Sequence, residues 1–260
     1  MHQLRLFFTA LQFFTRLPIP AWVGFDAAWL NQAARYFPLV GVVVAALTAA
    51  VYALAALVLP APVAVLVSTA AGIYATGAFH EDGFADMCDG FGGGMTVERV
   101  LEIMKDSRIG AYGAIGTVCM LGTKCAALAF LPPTAAIGAL FVAHPLSRLM
   151  ATSLIWRMDY ARAEGKAKPL AQTMHGGEFV IATVSTAVAV AAVIASGALG
   201  GWSIGAGALA ALAATLWLAR LFARRIGGYT GDCLGAVQQA SEVMIYLGVL
   251  ATFGRGALAA

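Results

Sequence analysis

Apolar runs of roughly membrane-crossing length recur along the chain, separated by shorter polar stretches. Residues 39–59 and 63–79 carry no charge. Residues 111–131 carry only Lys124, and 134–156 only Arg148 and His144. Residues 179–199 and 202–219 are again uncharged, and a weaker run over 237–253 holds Glu242 near its start. A helix needs about 20 apolar residues to cross the roughly 30 Å hydrocarbon core, and only a helix or closed barrel satisfies its own backbone there. The pattern therefore predicts an all-α, polytopic integral membrane helix bundle of about seven spans. Ahead of these, Arg5, Thr9, Gln12 and Arg16 form a narrow polar stripe at helical spacing. This predicts an N-terminal interfacial helix lying on one leaflet and stopped by Pro18 and Pro20. Those polar interruptions also argue against a cleaved signal peptide.

Composition agrees with this reading. Hydrophobic residues make up 61% of the chain, charged residues 11%, and the mean hydropathy is +0.83, whereas soluble domains carry about 25% charge. No repeat, low-complexity tract or linker divides residues 1–260, so one membrane-embedded domain is expected. The turns after the first, third and fifth spans (60–62, 132–133, 200–201) are uncharged. The opposite loops hold Arg5, Arg16 and Arg35, then Arg99, Lys105 and Arg108, then Arg157, Arg162, Lys166 and Lys168, and finally Arg220, Arg224 and Arg225. By the positive-inside rule that face is cytoplasmic and the membrane is the cell's inner membrane. The net charge of +3 thus reflects topology and gives no reason to expect nucleic acid. Cys88, Cys119, Cys125 and Cys233 lack paired zinc-type spacing and read as free thiols.

Seven of the 13 acidic residues lie between Glu81 and Asp106, after the second span. Asp82, Asp86 and Asp89 follow one another at i, i+4 and i+7, within a roughly 60° arc of one helix face. Stacked carboxylates repel, and a hard cation, Mg²⁺ or Mn²⁺, would relieve that repulsion. Gly83 and Gly90 each follow an aspartate, and Gly92, Gly93 and Gly94 let the backbone approach a bulky ligand or bend sharply. Thr96 reads as the N-cap of a short helix bearing Glu98 and Glu102. Beyond it, Asp106 is placed to return to the metal, and Lys105 and Arg108 to hold phosphate oxygens. A solvated helix end is the plainer reading of these acids, and it fits Glu98 and Glu102 better than the aspartate row.

A second glycine-rich element, Gly228, Tyr229, Thr230, Gly231 and Asp232, opens the last helix on the same face. Its backbone N–H groups suit phosphate and Asp232 suits a metal, while capping by Thr230 or Asp232 is the alternative. Lys124, His144 and Arg148 are costly in lipid and so are candidates by default. Lys124 reads equally as a snorkelling residue, His144 as a partner for a carbonyl freed by Pro145, and Glu242 as either a boundary or a site residue. Arg148 is within reach of a phosphate bound at the cytoplasmic edge.

These residues resemble the cobalamin synthase family, the adenosylcobinamide-GDP ribazoletransferases. The core match runs His80-Glu81-Asp82-Gly83-Phe84-Ala85-Asp86-Met87-Cys88-Asp89-Gly90-Phe91-Gly92-Gly93-Gly94, then Met104-Lys105-Asp106-Ser107-Arg108-Ile109-Gly110 and Tyr112-Gly113. It extends to Phe14-Thr15-Arg16-Leu17-Pro18-Ile19-Pro20, Tyr36-Phe37-Pro38-Leu39-Val40-Gly41, Ser147-Arg148, Gly228 to Asp232, Gly235-Ala236 and Glu242. In the loop from Arg162 to Gly177 only Arg162 and Gly165 match. The resemblance implies joining of adenosylcobinamide-GDP to α-ribazole or its 5′-phosphate, with Mg²⁺ and release of GMP, at a phosphate in the bilayer-bound enzyme. It suggests Asp82, Asp86 and Asp89 as metal ligands and Asp106 as ligand or base. Arg108, Arg148, Gly228, Thr230, Gly231 and Asp232 would bind substrate. Oligomer formation stays open.

Two other classes compete. Asp86 to Gly90 matches the D-x-x-D-G fragment of CDP-alcohol phosphotransferases of phospholipid synthesis, although their later aspartates are absent. An ion-coupled transporter would carry acids at the bilayer midplane and show related halves.

Overall fold

A computed structural model describes residues 1–24, 26, 28–161 and 172–254. Arg162, Gly165, Lys166 and Lys168 therefore lie outside the described residues. The chain forms α1 (His2–Phe14), α2 (Trp29–Ala33), α3 (Phe37–Ala55), α4 (Ala61–Thr76), α5 (Phe79–Gly93), α6 (Val97–Ile103), α7 (Ala111–Ala129), α8 (Pro133–Arg157), α9 (Gly176–Ala195), α10 (Gly201–Ile226) and α11 (Gly231–Ala251). It is an all-α membrane bundle. Six stretches are long and apolar enough to cross a bilayer: Trp29–Ala55, which includes α3, then α7, α8, α9, α10 and α11. Taking the bent pair α4 and α5 as one span makes seven.

The second span is where the structure departs from the sequence pattern. At about 1.5 Å per residue, the 16 residues of α4 rise about 24 Å, short of the hydrocarbon core. The chain then turns by 89° into α5. Gly77 and Ala78 make the corner, both left-handed, with φ of 65° and 59°. Glycine adopts that conformation freely and alanine does so only at a cost. Arg16 braces the corner. Its backbone N–H donates to Ala75 O at 2.7 Å, and its guanidinium lies 5.5 Å from the Tyr74 ring centroid. The aspartate row thus lies on a helix, as its spacing suggested, and that helix turns away from the end of α4.

α1 forms as the N-terminal helix that the pattern predicts. Leu6, Thr9, Ala10, Leu11 and Phe14 are buried in a core shared with α3, α8, α10 and α11. One side of α1 is therefore docked on the bundle. Thr9 leaves the polar stripe by bonding its own helix, donating to Arg5 O at 2.8 Å.

The glycines after position 82 serve helix packing. A Cβ at Gly83 would stand 3.0 Å from Asp232 Cα, and one at Gly235 3.0 Å from His80 O. α5 and α11 can approach this closely only because both positions lack a side chain. Gly90 and Gly92 likewise face Met104 and the Tyr112 ring. The close approach that the sequence suggested for a ligand is taken by the protein's own chain.

Candidate functional site

Along α5 the three aspartates share a helix face but not an environment. Asp82 is exposed, Asp86 half-buried and Asp89 buried. Asp89 Oδ2 accepts from Gly110 N–H at 2.7 Å and Oδ1 from Gly113 N–H at 2.8 Å. The carboxylate thus satisfies orphan N–H groups at the start of α7, where the helix dipole favours negative charge. A Cβ at Gly110 or Gly113 would collide with it, so both glycines are required by this contact.

Among the described residues no three His, Cys, Asp or Glu side chains converge closely enough to hold a metal ion. The chemistry of the donor set still fits a hard divalent cation, because this face offers only carboxylate oxygens. Asp82 and Asp86 stand one turn apart. Asp89 has one N–H on each oxygen, which leaves lone pairs on both. The backbone of Asp232 packs against Gly83, one residue from Asp82.

Asp106 and Arg108 pair with each other on the surface. Arg108 Nε donates to Asp106 Oδ1 at 3.0 Å, and its Nη2 donates to Oδ2 at 2.7 Å. These bonds hold the Asp106 carboxyl down at about 2 and push the guanidinium up. A carboxylate held that low is a weak proton acceptor, so its clearest capacity here is to orient Arg108.

Residues 227–232 lock the start of α11. Gly227 ends α10 with φ of 74°. Tyr229 N–H donates to Asp159 O at 3.0 Å, and Ala161 N–H to Tyr229 O at 2.8 Å. At Gly228 any side chain would strike Asp159 O. Thr230 is the N-cap, accepting from Cys233 N–H at 3.3 Å. The capping reading of Thr230 is therefore met, and Gly231 and Asp232 form the first turn.

Inside the bundle lies a polar cluster that the sequence only partly revealed. Lys124, which read either as a functional candidate or as a snorkelling residue, is 5% exposed, with its ammonium 3.0 Å from Glu242 Oε1 and 2.9 Å from Gln239 Oε1. Gln239 Nε2 donates to Glu81 Oε1 at 2.9 Å. Glu242 also accepts from Gln238 Nε2 at 2.6 Å and from the Tyr246 hydroxyl at 3.0 Å. His144 Nε2 meets Thr48 Oγ1 at 3.3 Å, and the His144 carbonyl in the Pro145 turn accepts from Arg148 Nη1 at 3.0 Å. Two cations and two carboxylates thus share one low-dielectric site. Their mutual pairing offsets a desolvation cost that none could bear alone. Glu81, Gln238, Gln239 and Tyr246 escaped the sequence reading. Two adjacent glutamines in an apolar run were the available signal.

Glu81 Oε2, His144 Nδ1 and Gln238 Oε1 lack hydrogen-bond partners among the described residues, and Arg148 is incompletely bonded as well. It is 3% exposed, and its Nε has no hydrogen-bond partner among the described residues. It lines both a small pocket beside Glu242 and a largely apolar chamber beside α1.

The cobalamin-5-phosphate synthase family model matches residues 6–250. An adenosylcobinamide-GDP ribazoletransferase of Shewanella frigidimarina is 47% identical over 261 residues, covering 96% of each chain. Proteins of the same name from Leptothrix cholodnii and Ralstonia nicotianae are 46% and 48% identical. They cover 96% and 95% of this chain, and 97% and 95% of their own lengths. No solved structure matches the chain.

Proposed function

From the premise that this chain belongs to the cobalamin-5-phosphate synthase family, we propose that it joins adenosylcobinamide-GDP to α-ribazole or α-ribazole 5′-phosphate and releases GMP. The observation that carries this reading is the near-complete coverage at close to half identity with ribazoletransferases. Family membership sets aside the CDP-alcohol phosphotransferase and transporter readings.

A ribazole hydroxyl attacks the phosphorus on the cobinamide side of the diphosphate. The new P–O bond forms as the bond to GMP breaks, leaving a phosphodiester. The hydroxyl proton goes to a carboxylate of the α5 edge, for which exposed Asp82 is the best-placed acceptor. Asp82, Asp86 and Asp89 would hold Mg²⁺, which supplies charge neutralisation at the transferred and leaving phosphates. Arg108, oriented by Asp106, and the first turn of α11 at Gly231 and Asp232, fixed by Gly228 and Thr230, bind phosphate oxygens. Arg148 is the deepest substrate-facing cation.

Purified protein given both substrates should release GMP with Mg²⁺ and stop when the metal is chelated. Folded, metal-supplied protein that releases none would overturn this reading. The basic residues around α5 and α6 support a cytoplasmic site at the inner membrane. Trypsin should cut after Lys105 in inside-out but not right-side-out vesicles, and the reverse pattern would refute that orientation.

A further inference from the structure

The chamber beside α1 has an unusual lining for a membrane bundle. Phe13 and Phe14 of α1, Phe37 of α3 and Phe79 of α5 face a void of about 630 Å³, mouth included. The rings hold one another in fixed orientations. Phe14 stacks on His80 at 5.3 Å with planes 14° apart, and meets Phe37 edge-on at 4.5 Å. Phe13 meets Phe79 edge-on at 4.9 Å. Two polar atoms in the lining residues lack partners among the described residues: Arg148 Nε, a donor, and Gln238 Oε1, an acceptor. Their residues are 3% and 1% exposed, and an unsatisfied buried polar group is costly unless a ligand meets it. Gly231 and Gly235 close the floor. They adjoin the point where Asp232 rests on Gly83, so the chamber ends beside the α5 carboxylate edge.

We propose that this chamber is the binding site for the flat heteroaromatic base of the ribazole co-substrate, with Arg148 Nε and Gln238 Oε1 as its polar contacts. The inference rests on the ribazoletransferase reading and assigns one substrate to one place. Aromatic walls set edge-on and stacked suit a bicyclic base better than a flexible chain. The free ring nitrogen of the base accepts from Arg148 Nε–H, and a ribose hydroxyl donates to Gln238 Oε1. The ribose then leaves the chamber at Gly231, next to the carboxylates. A corrinoid is far too large for this void, so adenosylcobinamide-GDP approaches from the open side of α5.

The test fills the chamber and separates the two substrates. Ala151, 9% exposed and in the lining, is changed to leucine, and Ile155→Phe is a second filling variant should the first misfold. Either variant should raise KM for α-ribazole about tenfold or more, the equivalent of roughly 1.4 kcal/mol. KM for adenosylcobinamide-GDP should stay within about twofold. Calorimetry with 5,6-dimethylbenzimidazole alone should show binding to the unaltered protein, reduced in the variants. Folded filling variants with unchanged ribazole KM would overturn the proposal while wild-type GMP release upheld the ribazoletransferase reading. Absent release from folded wild type would overturn both. A co-purifying lipid that neither ribazole nor dimethylbenzimidazole displaces would also refute it, by assigning the chamber to an acyl chain.

Discussion

Glu81 and Asp82 are neighbours in the chain and belong to different regions of the molecule. Glu81 turns inward, bonded to Gln239 within the polar cluster that also holds Lys124 and Glu242. Asp82 turns outward to the exposed edge. α5 thus divides its charges between two tasks. Glu81, facing the bundle, joins a bonded network that ties α5, α7 and α11 together. Asp82 and Asp86 lie one helical turn apart on the less buried side. The corner at Gly77 and Ala78 makes this division available, because it turns α5 by 89° out of the line of α4. A straight continuation would have carried every one of these acids along the α4 axis. The comparison teaches that in a membrane enzyme an ionised residue is not by itself a mark of catalysis. Its partners decide.

The largest expected effect lies in the inner region. Glu242→Ala leaves Lys124 buried without its carboxylate, which costs about 3–5 kcal/mol and should lower the thermal midpoint by roughly 10 °C. A midpoint unchanged within error would mean that the cluster contributes nothing to the fold. A smaller effect is expected where the two regions meet. Asp89→Asn keeps one acceptor but turns an amide NH₂ toward an N–H donor. The cost should be about 1–3 kcal/mol, with faster hydrogen exchange at the Gly110 and Gly113 amides. Unaltered exchange there would move Asp89 wholly to the outer region.

Much of the fold was legible. Uninterrupted apolar length marked the spans, and Thr96 marked the cap of α6, where it accepts from Arg99 N–H. The bend after α4 was not, because Phe79 extends the apolar run while only backbone conformation at Gly77 and Ala78 ends it. The site was legible as a list of residue types, since carboxylates at i, i+4 and i+7 share a face whatever surrounds the helix. Their different surroundings depend on where α7 begins, which local spacing does not encode. One pair of glycines was not legible for a related reason. Gly83 and Gly235 answer to each other across about 150 residues of chain, and only helix packing reveals the partner. Lys124 posed the same difficulty, because snorkelling and burial use one side chain and differ only in whether Glu242 stands opposite.

The division of α5 is tested most directly by measuring GMP release and thermal unfolding on Asp82→Asn and Glu81→Gln side by side. Each change is close to isosteric and removes one negative charge, one residue apart. Asp82→Asn should lose about 100-fold or more in turnover with its unfolding midpoint unchanged. Glu81→Gln should lower the midpoint and leave turnover per folded molecule within a few-fold. The opposite assignment, with Asp82→Asn unstable and active and Glu81→Gln stable and inactive, would contradict the account.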